Sequence, residues 1–165
     1  MKIIFLDIDG VLNVYCESRD EFGCTFHKHF EDNLRWIIDQ TGAKIVISST
    51  WRDSGLKVMQ DMWIKRNLPG EVIDVTPNCV DMVNYGICEF YDLVERGHEI
   101  QKWIDDHSIT SYVILDDDDD MLESQKDNFV QTSHNREHLD CVDHGYGLTK
   151  ICAEKAIKIL NRLNF

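Results

Sequence analysis

The chain has 165 residues, enough for one domain that buries sufficient surface to fold without staples. With 43% hydrophobic and 28% charged residues, two prolines and nine glycines, it is neither disordered nor fibrous. Its 17 basic against 30 acidic residues give a net charge of −13, which argues against a general DNA-binding or anionic-membrane surface, since either needs a basic face. Five of the acids form one run, Asp116 to Asp120.

In chain order, residues 2–8 (KIIFLDI) are apolar, β-branched and continuous, and predict a strand. Residues 14–30 fit no element and read as a loop or small insertion. In 31–41, Leu34, Ile37, Ile38 and Thr41 share a helical face, and Gly42 is placed to stop the helix. Residues 44–48 (KIVIS) predict a second strand. Residues 53–67 read as a helix with Asp53 or Ser54 as cap and Pro69-Gly70 as its end. A weaker strand signal at 71–75 (EVIDV) precedes a second unassigned stretch, 76–95. Ile100, Trp103, Ile104 and His107 repeat at helical spacing in 97–107. Residues 111–115 (SYVIL) form a strong strand signal and 128–131 (NFVQ) a weak one. Thr149 can cap a last helix carrying Ile151, Ile159, Leu160 and Leu163.

Strands alternating with helices imply a single α/β domain over 1–165. Continuous apolar strands are buried on both faces, as in a doubly wound, Rossmann-like parallel sheet of about five strands with helices on both faces. Such folds place their sites over the carboxyl ends of the strands. The N-terminal apolar stretch is too short for a signal peptide, and no run approaches a spanning helix, so the expectation is a cytoplasmic protein with no membrane contact. The six cysteines, at 16, 24, 79, 88, 141 and 152, are then expected as reduced thiols.

Three strand signals end in polar groups: Asp7-Ile8-Asp9-Gly10, Ser48-Ser49-Thr50-Trp51-Arg52 and Asp116 to Asp120. In a parallel sheet these ends lie on one edge. Converging carboxylates repel unless a cation joins them, and hard oxygen ligands suit Mg²⁺. Hydroxyls and free backbone N–H groups beside such a cation make a phosphate cradle. His134, His138, Cys141 and His144 have spacing that zinc could use, and Cys24, His27 and His29 cluster too; a polar loop is the favoured reading. Trp51 reads as a packing residue. Arg52 could pair with a surface acid or read a second phosphate, with the structural role preferred.

The ordered set resembles the haloacid dehalogenase superfamily of phosphatases. Asp7-Ile8-Asp9-Gly10-Val11-Leu12-Asn13 is similar to its first motif, Ser48 or Ser49 to its second, Arg96 to its third and Asp116 with Asp117 or Asp120 to its fourth. Lys102 is the fallback for the third. The strings Ser-Ser-Thr-Trp-Arg, Glu-Ile-x-x-Trp-Ile, Tyr-Val-Ile-Leu-Asp-Asp-Asp and Gly-Leu-Thr extend the resemblance to the phosphatase domains of bacterial Swiss Army Knife RNA repair proteins. Against these domains, 132–146 looks like a further insertion.

The resemblance implies a Mg²⁺-dependent phosphomonoesterase with an aspartyl-phosphate intermediate. Asp7 would be the nucleophile and Asp9 the acid and base. Asp7, Asp9 (through its carbonyl), Asp116 and Asp117 would hold the metal. Ser48 or Ser49, Arg96 and Gly10 would bind phosphate. Insertions at 14–30 and 76–95 are too short for a large cap, and relatives with little cap often take large substrates. Phosphorylated RNA or DNA ends or nucleotides are therefore the expected partners, with sugar phosphates as the alternative. A receiver-like signalling domain fits less well, because its phosphorylated Asp closes the third strand and a Lys the fifth. A non-catalytic binding module is the third alternative.

Overall fold

The computed structural model describes residues 1–84, 86, 94–132 and 146–162. Five strands form one parallel sheet: β1 (Lys2–Leu6), β4 (Lys44–Ile47), β5 (Val72–Val75), β6 (Ser111–Asp116) and β7 (Phe129–Gln131). Their order is β5-β4-β1-β6-β7. The chain winds outward from β1 through β4 to β5, then returns to lay β6 on the other side of β1. That reversal puts a crevice at the carboxyl ends of β1 and β6, where doubly wound sheets bind ligands. Two further strands, β2 (Arg19–Asp20) and β3 (Gly23–Cys24), pair as a separate antiparallel hairpin.

Alternation along the strands builds two cores. Ile4, Leu6, Ile45, Ile47, Val113 and Leu115 face one side, packed on α1 (Lys28–Thr41), α2 (Leu56–Lys65) and α5 (Lys150–Leu160). Ile3, Phe5, Val46 and Ile114 face the other side with Ile100 and Trp103 of α4 (Arg96–Asp106). Phe5 meets the Trp103 ring edge-on at 5.4 Å, worth about 0.5–1.5 kcal/mol beyond its buried area. The doubly wound sheet with helices on both faces is thus observed. A short helix, α3 (Cys79–Asn84), lies within the unassigned stretch 76–95.

Four local expectations are corrected. The 14–30 stretch is not wholly loop: it holds the β2–β3 hairpin and the first turn of α1. Residues 50–54 form a 3-10 turn rather than entering a helix at 53. Gly55, at φ 90, breaks the chain there, so α2 starts at Leu56 without Asp53 or Ser54 as its cap. The expectation of six reduced thiols fails at Cys16 and Cys24, which are joined as a disulfide. The spacing concealed this because the turn at 19–24 is what brings the two sulfurs together.

Two helix-end expectations hold. Gly42 ends α1, its N–H bonding the Ile38 carbonyl. The Thr149 hydroxyl caps α5 by accepting from Cys152 N–H. Among the described residues no helix is long and apolar enough to cross a membrane. His134, His138, Cys141 and His144 lie outside the described residues, as do Cys88 and Leu163.

Candidate active site

Every strand of the sheet leads into a buried polar residue at its carboxyl end or just beyond it. These are Thr76 after β5, Ser48 after β4, Asp7 after β1, Asp116 closing β6 and Thr132 after β7. Register does the positioning. Leu6 pairs with Ile47 and Leu115, so the next step along the sheet sets Asp7 between Ser48 and Asp116. Ladder-type bonds carry past the strand ends: Asp7 N–H to Leu115 O at 2.9 Å, Ser48 N–H to Leu6 O at 2.9 Å and Thr132 N–H to Asp116 O at 2.8 Å.

Asp7, Asp116 and Asp117 each offer a carboxylate oxygen, and the three lie within 4.8 Å of one another. Asp7 is 7% and Asp116 2% exposed. Burial pushes Asp7 up from 3.8 to about 6, against the pull of the Ser49 hydroxyl and the Arg96 guanidinium. Burial and then the charge of Asp7 push Asp116 up to about 8. Ionising both in a dry pocket is unfavourable without a cation. Asp116 Oδ2 has no hydrogen-bond partner among the described residues. A divalent cation fits this donor set: hard oxygens, net negative, with an oxygen left to bind.

Gly10 shapes the opposite wall. Its φ is +77, and a Cβ there would lie 2.2 Å from Asp117 Cγ. A side chain would therefore expel Asp117 from the cluster. The Gly10 carbonyl is held by the Thr132 hydroxyl at 2.8 Å.

Asp9 is exposed and stands apart from the three-carboxylate group. Its Oδ1 accepts from Asn13 Nδ2 and its Oδ2 from Trp51 Nε1, each at 2.9 Å. From sequence alone Trp51 is expected only to pack, and Asn13 carries no assigned role. Asn13 lies four residues beyond Asp9, a spacing from which a side chain can reach back around a turn. Nothing local signals a partner 42 residues away.

Of the two bases proposed for the third motif, Arg96 is at the site, with Nε 3.7 Å from Asp116 Oδ2. Lys102 instead pairs with Asp106 along α4. Asp120 accepts from Arg96 N–H at 3.1 Å, so it serves the start of α4 and not the acid cluster. Arg52 pairs with an acid, but a buried one: Nη2 donates to Glu99 Oε2 at 2.7 Å, and both residues are under 10% exposed. A cavity of about 260 Å³ has Arg52, Arg96, Glu99 and Asp120 on its walls. A larger one of about 440 Å³, between α2 and β5, contains none of the site residues.

The Ser48 hydroxyl is buried with no partner among the described residues. Ser49 is shared: it hydrogen-bonds Asp7 and accepts weakly from Trp51 N–H at 3.5 Å. The suggested Cys24, His27 and His29 metal cluster does not form. Cys24 is in the disulfide, and His27 Nε2 is 3.0 Å from the Tyr15 carbonyl oxygen.

A parallel sheet with carboxylates from β1 and β6 at its switch point, hydroxyls from β4 and an arginine from the helix before β6 defines a haloacid dehalogenase-type domain. The chain belongs to the family described as the HAD domain in Swiss Army Knife RNA repair proteins, whose model matches residues 3–137. Membership points to a phosphatase-type hydrolase. No curated protein and no solved structure matches the chain.

Proposed function

We propose that the protein is a Mg²⁺-dependent phosphomonoesterase acting through an aspartyl-phosphate on Asp7. The observation that carries this reading is the buried group of Asp7, Asp116 and Asp117, with Arg96 beside it and Ser48 and Ser49 on the adjoining strand end. Asp7, Asp116 and Asp117 would hold the metal, together with the Asp9 carbonyl. Bound there, it would neutralise carboxylate and phosphoryl charge.

An Asp7 oxygen attacks phosphorus in line. The bond from phosphorus to the leaving oxygen breaks, and its electron pair goes to that oxygen, which takes the proton of Asp9. Water then attacks phosphorus and gives a proton to Asp9. The bond from phosphorus to Asp7 breaks, freeing the carboxylate and inorganic phosphate. Ser48 and Ser49 supply hydroxyls to the phosphoryl oxygens, Arg96 supplies positive charge, and Gly10 lets the loop approach closely.

The substrate class we infer is a phosphorylated nucleic acid end or nucleotide. The family's description as a domain of RNA repair proteins supports it. So does the small size of the insertions at 14–30 and 76–95, which argues for one domain without a large cap. The −13 charge counts less against nucleic acid than it first does, because Asp7, Asp9 and Asp116 to Asp120 contribute to it at one sheet edge.

Hydrolysis of an activated aryl phosphate with Mg²⁺, in wild type and Asp7→Asn, tests the chemistry. Metal-dependent turnover lost by at least about 10³-fold in Asp7→Asn is expected. Unchanged turnover refutes the nucleophile, and no turnover across a broad phosphoester panel favours a binding module. Oligonucleotides with 3′ or 5′ phosphates, set against sugar phosphates, test the substrate class. Equal turnover of sugar phosphates with no activity on any oligonucleotide end sinks it.

A further inference from the structure

An exposed carboxylate ordinarily turns freely in water, its partners exchanging with solvent. Asp9 does not have that freedom. Both of its oxygens are held, by Asn13 from its own loop and by the Trp51 indole from the turn after β4, each at 2.9 Å. Two donors arriving from different parts of the chain fix the plane of the carboxylate. Each oxygen retains a second lone pair for the proton it exchanges.

The indole is itself buttressed. Its ring packs against Phe26 at 5.7 Å. Gly23 stands so close that a Cβ there would lie 3.3 Å from the ring. Arg66, just beyond α2, stacks on Phe26 at 4.6 Å and lies 5.9 Å from the Trp51 ring. The same guanidinium clamps the hairpin in a bidentate pair with Asp20, at 2.8 and 2.7 Å, and its Nη2 reaches the Gly23 carbonyl at 3.4 Å. The Cys16–Cys24 disulfide ties the segment before β2 to β3. A continuous set of contacts thus runs from the end of α2 through the hairpin to Trp51 and on to Asp9. Residues 49–51 touch both halves of the chemistry, since Ser49 bonds Asp7 while Trp51 bonds Asp9.

We propose that Trp51 is a positioning residue for Asp9, and that the β2–β3 hairpin is the buttress of that contact rather than a cover for substrate. The proposal rests on reading Asp9 as the group that protonates the leaving oxygen. The indole N–H is a donor only, so it transfers no proton and acts solely by orienting Asp9. As the phosphorus–oxygen bond breaks, its electron pair passes to the leaving oxygen and the proton comes from Asp9. A misoriented Asp9 therefore slows formation of the aspartyl-phosphate only where the leaving group needs that proton; its role toward water in the second step is common to all substrates and does not enter kcat/KM.

Leaving-group dependence gives a readout that a merely structural role does not move. Wild type and Trp51→Phe would be compared by kcat/KM with Mg²⁺ on an alkyl phosphate, whose alkoxide must be protonated, and on an activated aryl phosphate, whose phenolate departs unaided. Trp51→Phe is expected to lose roughly 10- to 100-fold on the alkyl ester and less than about threefold on the aryl ester. The aryl ester doubles as the control for folding. Asp20→Asn, which loosens Arg66 from outside the site, should show the same pattern at roughly 3- to 10-fold, and carries the test if Trp51→Phe does not fold. Equal losses on the two esters, or no loss on either, overturn the role of Trp51 while leaving the phosphatase reading intact. A wild type inactive on both esters brings down the phosphatase reading, and this inference with it.

Discussion

Two halves of the same five-aspartate run have opposite fates. Asp116 closes β6, is 2% exposed and faces Asp7 across the strand pair. Asp117 turns toward Gly10 and joins the same cluster. Asp118, Asp119 and Asp120 are exposed. Of these, Asp118 contributes its backbone N–H to Asp116 Oδ1 at 3.1 Å, and Asp120 its carboxylate to the first turn of α4. Identical side chains thus become metal-ligand candidates, a helix-terminus partner or solvated charge according to how far each stands from the last ladder bond of β6. Burial and proximity to Asp7, and not residue type, set the chemistry.

The widest separation between the halves is expected for Asp116→Asn. Activity should fall by at least about 10²-fold, while the metal-free protein gains stability, with Tm rising roughly 2–6 °C. The sign follows from linkage. Asp7 and Asp116 hold their protons more tightly folded, at about 6 and about 8, than at the ordinary value of 3.8. Between pH 4 and pH 8 the folded state therefore binds more protons than the unfolded one at these groups, and their contribution to stability falls as pH rises. Denaturant unfolding of the metal-free protein at pH 5 and pH 8 should show the advantage of Asp116→Asn growing toward pH 8. An advantage that shrinks with pH would break the comparison.

Asp117→Asn should have an intermediate effect. The half-buried carboxylate gives one oxygen to the cluster, so Mg²⁺ affinity is expected to weaken by roughly 10- to 100-fold, read from the Mg²⁺ dependence of Tm. Gly10→Ala should copy that loss, because its Cβ would occupy the space of the Asp117 carboxyl. Farther along the run, Asp120→Ala should cost about 1 kcal/mol of stability through the start of α4, with kcat changed less than about threefold. Asp118→Ser and Asp119→Ser should stay within about 0.5 kcal/mol of wild type, since both are exposed and Asp118 meets Asp116 through its backbone N–H. A large loss of activity in either would erase the distinction between the halves.

Much of the sheet was legible because its signals are local. Continuous apolar runs at 2–8, 44–48 and 111–115 need no partner to be recognised, and all three are strands with ends trimmed by one or two residues or extended by one. Asp7 and Asp116 were legible for the same reason: each is the first acid at the carboxyl end of such a run, Asp7 within 2–8 and Asp116 directly after 111–115. The start of the helix expected over 53–67 was not legible, because Ser49 and Thr50 begin a separate turn that Gly55 closes. The hairpin at 19–24 has strands of two residues, too short for any periodicity to register.

By itself the sequence determined the order of the strands along the chain, the apolar faces and which residue types end each strand, since these depend on neighbours a few positions away. It also carried the motif set that places the chain in its family. The tertiary structure decided which acids meet and which do not. Asp7 joins Asp116 and Asp117 only because β6 docks beside β1 in the register of Leu6 and Leu115. The Arg52–Glu99 pair spans 47 residues and the Trp51–Asp9 bond 42, and both close only when separate strands and helices pack. Local patterns fix which groups are present at the ends of strands; long-range packing fixes which of them share a proton, a charge or a partner.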